Sequence, residues 1–171
     1  MLFNNMELLN RNFSLKRSIQ RHPQKWIMHQ PLSGLLKLGL YGRRDLIPNS
    51  VSWHIQISYL KKTSETLWQK EPELIHRTCL HKLRTREDIT TWCVRDWQLF
   101  HGDFYPKKPI GKYFSTAEMK HNDDVIRYLK KQKGKVICLN DTENETDFER
   151  HKVMILEAFE QIFPEKSSFE L

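Results

Sequence analysis

Only three cysteines occur in the 171 residues, Cys79, Cys93 and Cys138, and no two of them form a CxxC pair. That spacing argues against a thiolate zinc site and points to a reducing compartment rather than a disulfide scaffold. Long hydrophobic runs are lacking as well. The apolar stretch from Leu32 to Tyr41 is broken by Ser33, Gly34, Lys37 and Gly39, so it is too short to cross a bilayer, and the first residues do not have a signal-peptide layout. Glycine is sparse at six residues, and no glycine-rich phosphate loop, HExxH or GxSxG occurs. P-loop, zinc-protease and serine-hydrolase chemistry therefore have no support, and a soluble or peripheral chain is expected.

What is present suits one folded domain with a real core: 39% of residues are apolar and 29% charged, too apolar for a disordered chain. The net charge is +7 and the pI about 9.3. Such a balance favours anionic partners, whether nucleotides, phosphorylated sugars, nucleic acid or an acidic membrane surface, and does not choose among them.

Helical spacing opens the chain at Met6, Leu9 and Phe13, and Pro23 interrupts it. Residues 28–49 read as loops with at most one short helix, because Pro31, Gly34, Gly39, Gly42 and Pro48 punctuate them. A helix is expected over 59–70, and Pro72 suits the start of another through Leu74 and Ile75. Thr85 and Asp88 approximate a capping box, ahead of Ile89, Trp92, Cys93, Asp96, Trp97 and Phe100 at helical spacing; Gly102 can end that helix. Trp92 and Trp97 are expected in the core. The stretch "DFYPKKPIGKYFS" reads as a loop, and Asn122 as the cap of a helix through Leu129. "KVICLND" reads as a short buried strand; Thr146 and Glu149 form a second capping box, followed by a helix over 148–163 with Val153, Leu156, Phe159 and Phe163 as its apolar stripe. One strand forms no sheet alone, so partners for it are expected from outside the chain.

Two places carry the candidate chemistry. "HKLRTRED" crowds His81, Lys82, Arg84 and Arg86 ahead of the expected helix start, where a guanidinium could clamp phosphate and helix amides could add donors. The alternative is a solvated basic loop paired with Glu87 and Asp88. Asn140 and Asp141 end the expected strand, an edge at which open α/β sheets place ligands, although both residue types also favour turns. His54 suits a base, a phosphate partner, a ligand or a packed histidine beside Trp53.

Taken as ordered blocks, these stretches resemble the Stealth family, which includes bacterial capsular-polysaccharide phosphotransferases and an animal N-acetylglucosamine-1-phosphotransferase. "HRTCLHKLRTREDITTW" is similar to the family's "TS-x-H-K-[FV]-R-x-x-E-D" segment, through Thr78, His81, Lys82, Arg84, Glu87 and Asp88. "KVICLNDTE", the helix after it and "FPEKSSFEL" resemble the family's closing region, and His54 stands where the family has a histidine opening "H-x-P", with Gln56 here in place of that proline. The family's opening "D-[IV]-V-Y-x-W-V-D" strand and its "N-D-D" motif do not occur.

The resemblance implies a mainly α fold with a short β-strand, the C-terminal portion of an α/β nucleotide-sugar transferase. Residues 1–50 would be a linker-like helical and loop segment, and 51–171 the phosphotransferase half-domain. It implies transfer of hexose-1-phosphate from a UDP-sugar donor to a polysaccharide hydroxyl in capsule or exopolysaccharide synthesis. Arg84 and His54 would be catalytic; His81, Lys82, Asn140 and Asp141 would bind substrate or phosphate. A divalent Mg or Mn ion would be held mostly by residues of the missing half, supplied as an N-terminal half or partner chain. Location would be cytoplasmic, with peripheral contact at the inner membrane face. The competing reading is a non-catalytic basic helical module for nucleic acid or acidic surfaces; nucleic acid is the less favoured partner.

Overall fold

Pro23 ends one helix and starts the next, because its fixed φ and missing N–H suit a first turn. In the computed structural model, which describes residues 2–48, 55–115, 122–140 and 148–169, the opening segment is three helices: α1 (Leu2–Asn12), α2 (Leu15–Arg21) and α3 (Pro23–Ile27). Ser14 caps α2, its hydroxyl accepting the Arg17 N–H at 3.1 Å. Then come α4 (Leu32–Arg44), α5 (Lys61–Lys70), α6 (Pro72–Leu80) and α7 (Thr91–His101). As expected, Pro72 sits in the first turn of α6, and Gly102 ends α7 in the left-handed region at φ +94°.

The segment expected to be mostly loop thus contains α4, a helix of 13 residues. Its glycines are tolerated because leucine and lysine fill the intervening positions and because the helix finds a packing partner. A Cβ on Gly42 would stand 3.4 Å from Ile19 Cδ1 of α2, so the small residue lets the two helices approach.

The chain folds as two compact units: Met1–Ser52 with Ile57–Lys108, and Trp53–Gln56 with Pro109–Leu171. The core of the first unit includes Leu8, Leu9, Leu15, Trp26, Ile47, Leu67, Ile75, Cys93, Trp97 and Phe100. Trp97 meets Phe13 edge-on at 4.7 Å, and Trp26 stacks on Phe100 at 5.6 Å. Trp97 is core as expected, whereas Trp92 is only half-buried, with the Arg95 guanidinium 5.9 Å from its ring.

In the second unit, "GKYFS" is a strand, not the loop its proline-rich flank suggests. β1 (Gly111–Ser115) runs parallel to β2 (Val136–Asn140), in register from Gly111 against Val136 to Ser115 against Asn140, with α8 (Asn122–Lys130) between them in sequence. The chain thus supplies the partner strand that its composition had not revealed. Parallel strands need such a crossover, and a helix provides it. Phe114, Val125, Leu129 and Ala158 form the core, joined by α9 (Phe148–Ile162) through Ile155, Phe159 and Ile162. The expected α9 stripe is displaced: Val153, Leu156 and Phe163 are exposed, while His151 and Ala158 are buried. Thr146, half of the second expected capping box, lies outside the described residues.

Burial makes the cysteines unequal. The Cys93 thiol is pushed up to about 12 by desolvation, with the Asp96 and Glu71 carboxylates adding to the shift, while Cys79 is exposed. In the native protein a thiolate-selective reagent should label Cys79 and spare Cys93, which reacts only after denaturation; peptide mapping checks it.

Candidate functional site

The return from α6 to α7 is clamped at both ends. Thr78 Oγ1 donates to the Leu74 carbonyl at 2.9 Å and accepts the Ile89 N–H at 3.4 Å. From α1, Asn4 Nδ2 donates to the Arg86 carbonyl at 3.0 Å. Asn5 exchanges two bonds with Thr90: its Nδ2 donates to Oγ1 at 2.7 Å, and the Thr90 N–H donates to its Oδ1 at 3.1 Å. A loop of polar residues is thereby held as firmly as a regular element, because its backbone groups have fixed partners.

Asp88 is its centre. Only 4% exposed, its carboxylate accepts from Thr85 N–H at 2.7 Å, Thr85 Oγ1 at 3.0 Å and His81 Nδ1 at 2.6 Å. The Thr85 amide bond does most to hold the Asp88 pKa below the ordinary carboxylate value; the His81 hydrogen bond follows, and burial opposes both. An ionised carboxylate can only accept, so His81 carries its proton on Nδ1 and turns Nε2 away from Asp88. The His81 side chain keeps 32% of its exposure.

The expected capping box is thus half realised and in another setting. Asp88 accepts the Thr85 amide as a box residue should, but Thr85 Oγ1 accepts the Glu87 N–H at 3.3 Å, closing a turn. Helix α7 begins only at Thr91, so the basic cluster does not lie against its N-terminus. Lys82 and Arg84 point outward, exposed, and neither makes a hydrogen bond or ion pair among the described residues. Glu87 and Asp88 do not neutralise them: Asp88 is committed to His81 and Thr85.

Asn140 ends β2 opposite Ser115 in the second unit, while His81, Lys82 and Arg84 belong to the first. His54 and Asp141 lie outside the described residues. Sequence reading missed a cleft of about 600 Å³ lined by Arg11, Glu71 and Arg77, and a second of about 310 Å³ that shares Arg11 and Arg77 and reaches Glu87. Arg11 is engaged there by Glu71 at 2.6 Å. No pattern in the sequence pairs residues 60 positions apart.

Among the described residues no group of three or more His, Cys, Asp or Glu is placed to hold a metal ion.

Because the folded Asp88 pKa is lowered, its contribution to stability is fully present above the unfolded value of about 3.9 and is lost as pH falls through the folded value. An Asp88→Asn variant should lose that acid-side dependence, giving a flatter stability profile below about pH 4 in urea titrations.

Comparison with known proteins covers nearly the whole chain. Residues 127–171 match conserved region 4 of the Stealth proteins. Over 173 aligned residues the chain is 36% identical to capsular polysaccharide phosphotransferase WcwK of Streptococcus pneumoniae, covering 99% of this chain and 50% of that protein. It is 28% identical to receptor polysaccharide phosphotransferase WefC of Streptococcus gordonii and 26% identical to exopolysaccharide phosphotransferase cps2G of Lactiplantibacillus plantarum, again spanning half of each and nearly all of this chain. The chain carries a conserved region of the Stealth family at residues 127–171 and spans about half the length of the curated relatives it matches. No solved structure matches it.

Proposed function

We propose that the chain is the C-terminal part of a sugar-1-phosphate transferase that moves hexose-1-phosphate from a UDP-sugar to a polysaccharide hydroxyl. The relatives' names support phosphotransfer into capsular or exopolysaccharide. The observation that carries the site is the uncompensated pair of cations, Lys82 and Arg84, beside an imidazole whose tautomer a buried carboxylate sets. A solvated basic loop would pair its charges with the carboxylates next to it; here the nearest buried one is turned to His81 instead.

In the reaction, the acceptor hydroxyl oxygen attacks the phosphorus nearest the sugar, the bond to the bridging oxygen breaks, and UMP leaves. Negative charge builds on the phosphoryl oxygens, where Arg84 offers a planar fork of N–H donors and Lys82 a second positive charge. His81 reaches the anion through Nε2 when protonated, while Asp88 on Nδ1 keeps the ring oriented. The resemblance to the family gives His54 the role of taking the acceptor proton and Asn140 and Asp141 that of supporting the donor. A Mg or Mn ion, held mostly by the other half, would supply charge neutralisation at the diphosphate.

The test is UMP release from a UDP-sugar, measured for the chain alone and with a polypeptide carrying the "YxWVD" and "NDD" blocks. Transfer is expected only with both. No UMP from the mixture, with both components folded and bound to each other, would overturn the reading.

A further inference from the structure

The net charge of the protein comes from one stretch. Between Glu7 and Asp45 there are eight lysines and arginines and no aspartate or glutamate, while the rest of the chain holds 20 basic against 21 acidic residues. Six of the eight, Lys16, Arg17, Arg21, Lys37, Arg43 and Arg44, are exposed. None of these six side chains has an ion pair or hydrogen-bond partner among the described residues. Lys16 and Arg17 act on the Asp45 carboxylate, whose pKa they help to lower, whereas no carboxylate among the described residues is paired with Lys37, Arg43 or Arg44.

The same stretch carries α4, a helix that is apolar on two sides. Leu38 and Tyr41 pack against the core, yet no residue of the helix is buried. On the other side Leu32, Leu36 and Leu40, at successive i, i+4 positions, are 74%, 68% and 51% exposed. A Cβ on Gly39 would meet nothing within 4 Å, so that side is open. Arg43, about three turns beyond Leu32, continues the leucine row, and Lys37 and Arg44 flank it. A single exposed leucine is ordinary; a ridge of three on a helix whose only charged residues are Lys37, Arg43 and Arg44 is not.

We propose that α4 is an interfacial helix that lays its Leu32–Leu36–Leu40 ridge into an anionic membrane surface, with Arg43, Arg44 and Lys37 among the lipid phosphates. The leucines enter the headgroup–acyl boundary and the cations are drawn by the surface potential, the two forces that hold an in-plane helix. Nucleic acid fits less well, because a duplex or single strand offers phosphate and base faces but nothing to bury an aliphatic ridge. Among the described residues no helix is long and apolar enough to cross a membrane. The proposal does not depend on the transfer chemistry.

The experiment is co-sedimentation of the chain with phosphatidylcholine vesicles, with and without phosphatidylglycerol, at low and high salt. Binding is expected to the anionic vesicles only and to fall as salt rises. Leu36→Glu should abolish it. Arg43→Gln with Arg44→Gln should weaken it about thirtyfold, as two lost lipid-facing charges predict. Because Leu36 and Arg43 are exposed, circular dichroism and the melting temperature should stay at wild-type values; if Leu36→Glu fails to fold, Leu32→Glu replaces it. No binding to anionic vesicles, or binding untouched by the leucine substitution, overturns the proposal. So does a wild-type dimer that Leu36→Glu converts to monomer, since a second copy would then occupy the ridge. The same holds if polynucleotide displaces the vesicles while Leu36→Glu binds polynucleotide normally. UMP release in the reconstituted mixture is unaffected by any of these results, so the two readings fail separately.

Discussion

Replacing Arg84 by alanine is expected, under the proposed function, to lower the rate of sugar-1-phosphate transfer by about 10²–10³-fold, the usual effect of removing one donor aimed at developing charge. The physical argument is the loop itself. Arg84 is exposed and has no partner among the described residues, so its charge is not already neutralised by a neighbouring carboxylate. For the same reason its loss should leave stability within about 0.5 kcal/mol of the wild type. Arg84→Lys keeps the charge but loses the planar fork, and an intermediate rate is expected. The assay is UMP release by the chain combined with its complementing half, alongside urea melts of the chain alone. A wild-type rate in Arg84→Ala removes this residue from the site; a low rate joined to a collapsed melting curve makes its role structural.

The largest effect on stability is expected at Trp97. It is 2% exposed, belongs to the main core cluster and meets Phe13 edge-on. Trp97→Ala should destabilise the first unit by about 3–5 kcal/mol, since the indole leaves a cavity that its rigid neighbours fill only in part. That is more than about 1 M in the urea midpoint. Trp68→Ala is the control: its ring is 43% exposed, and a change within about 0.5 kcal/mol is expected. Equal effects of the two substitutions would show that burial is not what distinguishes them.

The errors in reading the sequence have particular physical causes. Thr85 and Asp88 were legible as partners, because a hydroxyl and a carboxylate three apart suit reciprocal bonding. Their setting was not: the same pair serves a turn as well as a helix start, and the Asn4 and Asn5 amides of α1, more than 80 positions away, stabilise the turn. β1 was hidden because its proline- and lysine-rich flank resembles a loop, and five residues become a strand only once β2 supplies the bonds. The α9 stripe was misplaced because that helix is apolar at several angles. Which angle is buried depends on α8 and the sheet.

Local periodicity and punctuation were enough, without coordinates, for most of the helices, for the stops at Pro23 and Gly102 and for the strand at Val136, because these depend on residues a few positions apart. Tertiary structure alone decided that α4 is a helix with an outward ridge, that the strand has a partner within the chain, and that Asp88 turns to His81 and leaves Arg84 unpaired. A carboxylate chooses among several cations within reach by burial and by the geometry of its donors, and both arise only when distant segments close around it.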